Sequence, residues 1–192
     1  MIKIIPPEQF VTTAWKNGKG ETVQLAISQG GSIDGFDWRL SIASVVEDGV
    51  FSDFSGYERN LILLQGNGIE LTHNDTRNKT RVDVLKNKLS ISVFSGSDRT
   101  VGRLFGGAIK DLNLMTKAGK YEVCVKTYLG KQSVDITNSE LCFIYSNNND
   151  SIIKTMTNEV LLAADHLMQI TDCNEKTSVV GCDLIILYLK KI

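Results

Sequence analysis

The chemistry this sequence offers sits mainly on two apolar strands. In Asp37-Trp38-Arg39-Leu40-Ser41-Ile42-Ala43, alternation sends Trp38, Leu40 and Ile42 to one face and Arg39, Ser41 and Ala43 to the other. In Asp111-Leu112-Asn113-Leu114-Met115, the leucines share one face and Asp111, Asn113 and Met115 share the opposite one. A buried arginine is costly unless it is paired. Two arrangements would satisfy it: an internal Arg39–Asp111 ion pair, or a pocket in which the guanidinium grips a ligand carboxylate while Ser41 and Asn113 fix its orientation. The two coexist if Asp111 only orients Arg39. Arg59 ends the turn Phe54-Ser55-Gly56-Tyr57-Glu58-Arg59 and is a second candidate anion contact, with a turn anchor as the alternative. Lys16 and Asn17 lie in a glycine-bounded loop, which suits either a close backbone approach to a ligand or a tight turn. Trp15 and Trp38 fit either the core or an aromatic pocket wall.

Other chemistries find little support. The only histidines are His73 and His166, far apart and outside any His-x-His pair. A metal site built from imidazoles and a carboxylate cannot be assembled from them. His73 has Asp75 nearby, which offers a general base oriented by a carboxylate, but the turn Thr72-His73-Asn74-Asp75 reads more simply as a solvated hairpin tip. His166 reads as an exposed or edge residue. Ser41 lacks a nucleophile-elbow context, and the glycines of Lys16–Thr22 precede no helical pattern, so neither a serine hydrolase nor a phosphate loop is indicated. Cys124, Cys142, Cys173 and Cys182 form no Cys-x-x-Cys pair and read as reduced thiols.

The elements that must position these residues are short strands. Two prolines, sixteen glycines and many Asn, Ser and Asp residues punctuate brief apolar runs, which is the all-β pattern. The strand candidates are Thr22–Ser28, Phe36–Val46, Asn60–Leu64, Ile69–Thr72, Leu89–Val93, Ile109–Thr116, Tyr121–Tyr128, Glu140–Ser146, Glu159–Ala163 and Val179–Leu189, the last with a break at Gly181. Ser52–Arg59 suggests a helical turn and Glu159–Met168 a short helix, which keeps helix under about a fifth of the chain. Strands apolar on both faces, such as Leu61-Ile62-Leu63-Leu64, must be covered on both sides. The rhythm restarts at Gly106-Gly107, so residues 1–105 and 106–192 are expected to form two packed barrels. A net charge of −1 with both signs interspersed leaves no footprint for nucleic acid or an anionic membrane. No run approaches the ~20 apolar residues of a membrane span, and the first residues carry no secretory signal pattern, so the expected location is the cytoplasm.

Three segments together resemble the HutD/Ves family. They are Trp15-Lys16-Asn17-Gly18-Lys19-Gly20-Glu21-Thr22, the stretch from Phe36 through Arg59 to Gly68, and Lys110-Asp111-Leu112-Asn113-Leu114-Met115-Thr116. Ala14, Lys19, Ser55 and Glu58 depart from the family pattern, which has Pro, Gly, Pro and Asp there. The resemblance implies a mainly β, cupin-like double barrel of antiparallel strands. It also implies a small cytosolic bacterial protein tied to histidine utilisation or to stress, sensing an intermediate such as urocanate or formylglutamate. The expected function is therefore non-enzymatic binding of a small anionic metabolite. The candidate ligand residues are Trp15, Lys16, Asn17, Thr22, Trp38, Arg39, Ser41, Arg59, Asp111, Asn113 and Met115. No catalytic residue, cofactor or metal is expected. Analogy with double cupins suggests a homodimer. The competing readings are a metal-independent isomerase or hydrolase with Asp111, Glu47 or Asp48 as base, and a stress-linked interaction protein with a vestigial pocket. Elemental analysis of the purified protein should find no stoichiometric transition metal; about one zinc, iron or manganese per chain would overturn this reading.

Overall fold

The computed structural model describes residues 1–15, 20–173 and 176–192. Its strands are, in chain order, β1 (Ile2–Ile5), β2 (Val11–Ala14), β3 (Gly20–Ile27), β4 (Trp38–Val45), β5 (Gly49–Val50), β6 (Tyr57–Gln65), β7 (Ile69–Asn74), β8 (Thr80–Leu85) and β9 (Ile91–Ser95). They continue with β10 (Arg99–Leu104), β11 (Ile109–Lys117), β12 (Tyr121–Asp135), β13 (Ser139–Ser146), β14 (Ser151–Lys154), β15 (Glu159–Leu162), β16 (Leu167–Cys173) and β17 (Ser178–Lys191). Every ladder between them is antiparallel. The only helix among the described residues is a single 3-10 turn at Pro7–Gln9. No described helix is long and apolar enough to cross a membrane.

The chain divides into two compact units, one of Val11–Lys120 and one of Met1–Phe10 with Tyr121–Ile192. The boundary thus falls at 120/121, not at the expected 105/106. Gly106 and Gly107, at φ 91° and 89°, form the short turn that carries the chain from β10 in one sheet into β11 in the other, and not a linker. β11 then inserts between β4 and β6, and β1 pairs with β16, so the first ten residues belong with the last seventy-two.

In the unit Val11–Lys120, a six-stranded sheet runs β2-β3-β4-β11-β6-β9 and a four-stranded sheet runs β5-β10-β7-β8. Leu61, Leu63, Phe94, Val45 and Ile109 from the first meet Ile69, Leu71 and Leu85 from the second in one buried cluster. The other unit is a seven-stranded sheet in which β17 pairs with β12, β13 and β14 around a core that includes Ile144, Ile153, Met168 and Ile186. β17 is not broken at Gly181. It bends at Asp183, whose φ is 54°, opposite a bulge between Tyr128 and Lys131, and Gly130 N–H donates to Asp183 Oδ1 at 2.9 Å. Gly181 instead allows a close approach, because a Cβ there would lie 2.2 Å from Ser151 Oγ.

Both expected helical segments are absent. Ser52–Arg59 is loop followed by the start of β6, and Glu159–Met168 is β15, a turn and the start of β16. The turn closes through Ala164 N–H to Asp150 Oδ1 at 2.8 Å and a left-handed Asp165. His166 in that turn is half-buried, its Nδ1 3.0 Å from Ala164 O. Among the described residues, Cys124, Cys142 and Cys182 form no disulfide.

His73 is no hairpin tip: it is 2 % exposed. Its Nδ1 meets Thr100 Oγ1 at 2.9 Å, its Nε2 meets Asp83 Oδ2 at 3.4 Å, and its ring lies 4.5 Å from that of Phe94. Asp83, not Asp75, is its carboxylate partner, because Asp75 is occupied by the turn N–H groups of Arg77 and Lys79. Ser92 Oγ also donates to Asp83, and Arg81 donates to Val93 O at 2.6 Å. These bonds tie β8 to β9, the edge strands of the two sheets, which share no ladder. Burial is the main cause that pushes the His73 imidazole below its usual range, keeping it neutral near pH 7. Asp83→Ala should leave buried Ser92 Oγ and His73 Nε2 with only each other, 3.4 Å apart, and cost about 1–3 kcal/mol. A thermal melt should show Tm lower by several degrees, and an unchanged Tm would mean that the cluster does not hold the seam.

Candidate functional site

Strand pairing builds the site in rows. Arg39 on β4 stands opposite Met115 on β11, and Met115 stands opposite Arg59 on β6. Two residues along, Gln24, Ser41, Asn113 and Leu61 align across β3, β4, β11 and β6. The next row is Thr22, Ala43, Asp111 and Leu63. Because side chains two apart share a face, these rows turn one polar surface toward one space. That space is a cavity of about 690 Å³ within the unit Val11–Lys120. Arg39, Ser41, Arg59, Asp111, Asn113, Met115, Thr22 and Trp15 all line it. β2 and the segment from Glu47 to Phe54 supply the remaining walls.

The polar side chains are removed from water: Arg39 is 7 % exposed, Arg59 5 %, Asp111 1 % and Asn113 4 %. Arg39 donates from Nε to Gln24 Oε1 at 2.8 Å, which spares the two terminal nitrogens of the fork. Arg59 is caged by rings. Its Cζ lies 4.9 Å from the Phe94 centroid, 5.4 Å from that of Phe51 and 5.7 Å from that of Phe54. Burial pushes the Arg59 guanidinium down to about 10; Asp111 opposes that shift and Arg39 adds to it. Burial also lowers the Arg39 guanidinium from its ordinary value. Asp111 is pushed up to about 7 by burial, with Arg59 pulling the other way.

Several buried polar atoms here have no protein partner. They are Arg59 Nε, both carboxylate oxygens of Asp111, and Asn113 Oδ1. The expected internal Arg39–Asp111 pair is therefore not formed: Arg39 turns to Gln24, and neither Asp111 oxygen accepts a hydrogen bond. Buried polar groups are nearly always satisfied, so a cluster of exceptions facing a cavity needs an explanation.

Trp38 is not at the site. It is buried on the opposite face of β4, where its own alternation with Leu40 places it. Trp15 lines the cavity and donates from Nε1 to Thr22 Oγ1 at 2.8 Å. Lys16 and Asn17 lie outside the described residues. The reading from sequence missed Gln24, Phe51 and Phe54 as site residues. Gln24 follows Thr22 by one strand period and could have been found that way, whereas Phe51 and Phe54 sit in an irregular segment with no periodicity. Of the proposed bases, Asp48 accepts from Leu104 N–H at 2.8 Å, and both Glu47 and Asp48 line the cavity. Among the described residues, no group of three His, Cys, Asp or Glu side chains is placed to hold a metal.

The comparisons with known proteins agree with this architecture. A stretch of 129 residues is 33 % identical to an uncharacterized 21.2 kDa protein in the hutC 3' region of Pseudomonas putida, covering 67 % of this chain and 65 % of that protein. Another of 113 residues is 35 % identical to protein Ves of Escherichia fergusonii, covering 58 % and 56 %. The matches thus span less than two thirds of either relative. The structure of HutD from Pseudomonas fluorescens SBW25, in a formate condition, superposes with a TM-score of 0.80 at 27 % identity over 100 % of both chains. A cupin 2 conserved barrel domain protein from Leptotrichia buccalis shares the fold at a TM-score of 0.52 and 8 % identity over 88 % of each chain. The mainly antiparallel β architecture is cupin-like, and the HutD family model matches residues 7–184: this chain belongs to the HutD family.

Proposed function

We propose that this protein is a non-enzymatic receptor for a small carboxylate, held between Arg39 and Arg59. The observation that carries the reading is the pair of buried guanidiniums turned into one cavity of about 690 Å³, with Nε of Arg59 unpartnered. A desolvated guanidinium binds a carboxylate through charge-assisted, directional hydrogen bonds. Met115 between the two arginines and the rings around Arg59 supply the apolar surroundings that make those bonds strong. The hutC-region relative supports a carboxylate of histidine utilisation, such as urocanate or formylglutamate, as what the protein senses or sequesters in the cytoplasm. A stress-linked role follows the Ves relative instead and uses the same pocket.

A metal-independent isomerase or hydrolase is the second reading. Its one support is Asp111, a buried carboxyl pushed up to about 7 inside the cavity, where a general base would be poised. Turnover that disappears in Asp111→Asn while binding persists would select it.

A thermal-shift and calorimetric screen of the full chain against small carboxylates tests the receptor directly. Arg39→Met should weaken the best carboxylate by about two orders of magnitude, the loss of about 2–3 kcal/mol of charge-assisted bonding. Tm should change little, because Met fills similar apolar volume and only the bond to Gln24 is lost. A melt lowered by more than about ten degrees with unaltered binding would make Arg39 a structural residue.

Anion affinity should also depend on pH. Below about 7 Asp111 is protonated and the cavity holds two guanidinium charges; as pH rises through that value the carboxyl ionises and opposes a bound anion. Arg39 on β4, Arg59 on β6 and the flanking Glu47 and Asp48 are the other charges lining the cavity. Formate, ionised throughout, should bind more weakly at pH 8 than at pH 6, and Asp111→Asn should flatten that profile. Equal affinity in the wild-type protein at both values would remove Asp111 from the site's electrostatics.

A further inference from the structure

Resting on that reading of the cavity, we infer that Asp111 and Asn113 are specificity residues that receive an N–H donor carried by the ligand at the end opposite its carboxylate. Three buried acceptor atoms carry this inference: both carboxylate oxygens of Asp111 and Oδ1 of Asn113 have no protein partner. The two residues are 1 % and 4 % exposed and both line the cavity. A plain anion answers only the arginines. Its oxygens are acceptors and would face further acceptors at Asp111 and Asn113, leaving each a buried, unsatisfied group. A ligand that is acceptor at one end and donor at the other satisfies both halves.

The order of the rows sets the polarity of that ligand. Along β11 the sequence is Asp111, Asn113, Met115, and the arginines flank only the last. Acceptors therefore lie at one end of the strand's polar face and cationic donors at the other. The end rows, at Asp111 and Met115, are four residue steps apart, about 14 Å of backbone at ~3.4 Å per residue. Two arginine side chains reaching into the cavity shorten that span to a few carbon atoms of ligand. The chemical class is thus a short carboxylate with a primary amide, an ammonium or a heterocyclic N–H at its far end. Of the two metabolites named above, the one with a second carboxylate, formylglutamate, is thereby disfavoured, because that anion would meet the Asp111 carboxylate in a buried site. Such a site rejects an analogue lacking the donor, since the buried acceptors are then left unpaired.

Succinamate and levulinate make the test. Succinamate is a four-carbon acid amide, and levulinate, with five carbons, is its methyl-ketone counterpart of nearly equal shape; one ends in an amide N–H₂ where the other ends in a methyl. At pH 8, calorimetry on the full chain should give succinamate an affinity about 10- to 100-fold above levulinate. Succinate should bind no better than levulinate. Asp111→Leu, close in shape and apolar, should bring the succinamate-to-levulinate ratio near one while levulinate still binds. Asn113→Leu should narrow the ratio as well, and serves where Asp111→Leu does not fold; the wild-type ratio needs no variant at all. Wild-type protein that binds levulinate as tightly as succinamate overturns this inference and leaves the carboxylate receptor standing. Wild-type protein that binds none of the three, with Arg39→Met indistinguishable from it, overturns the receptor reading and this inference with it.

Discussion

Two guanidiniums buried on either side of one methionine are the constraint around which the unit Val11–Lys120 is organised. Like charges in a low-dielectric interior repel and are each costly to desolvate. The protein offsets this with three different devices. Gln24 gives Arg39 an acceptor, three aromatic rings give Arg59 negative faces, and Asp111 gives the pair one carboxylate. None of these satisfies the forks completely. A core collapsed onto Arg39 and Arg59 would strand them, so the space beside them stays open, and that space is the cavity. The pocket is a consequence of the charges as much as a container for them.

The same alternation that aims the arginines inward also builds the core behind them. Leu40, Ile62, Leu112 and Leu114 occupy the intervening positions of β4, β6 and β11, and each is fully buried. A slip of one residue in either ladder would exchange arginine and aspartate for leucine on both faces of the sheet. Register is therefore held from both sides, by apolar burial on one and by charge on the other. A site carried on central strands in this way is more exactly placed than one carried on loops.

Much of this was legible in the residues alone, because period two is the strongest local signal a strand has. It brought Arg39, Ser41, Asp111, Asn113 and Met115 to one face without any knowledge of how the strands pair. It also placed Trp38 on the other face with Leu40, so naming Trp38 as a ligand wall contradicted the pattern that found the rest. What could not be read was anything decided by distant pairing. The choice of Gln24 over Asp111 as Arg39's partner depends on β3 lying beside β4. The burial of His73 depends on β8 and β9 meeting at the seam, where a polar turn sequence hides a packed imidazole. The unit boundary went astray for the same reason: β11 follows a glycine turn that looks like a linker, and only its ladders to β4 and β6 show where it belongs.

The seam and the cavity are also mechanically continuous, because one ring belongs to both. The Phe94 ring packs at a tilt against His73, and its centroid also lies 4.9 Å from the Arg59 Cζ. His73 is in turn fixed by Thr100 and Asp83, and Asp83 by Ser92. A planar cation over a ring held this way has few orientations open to it. The guanidinium is therefore held in few rotamers by the packing around it. In this protein the bonds that join the two sheets also steady the Arg59 guanidinium, so the stability of the seam and the order of the cavity wall draw on one set of interactions.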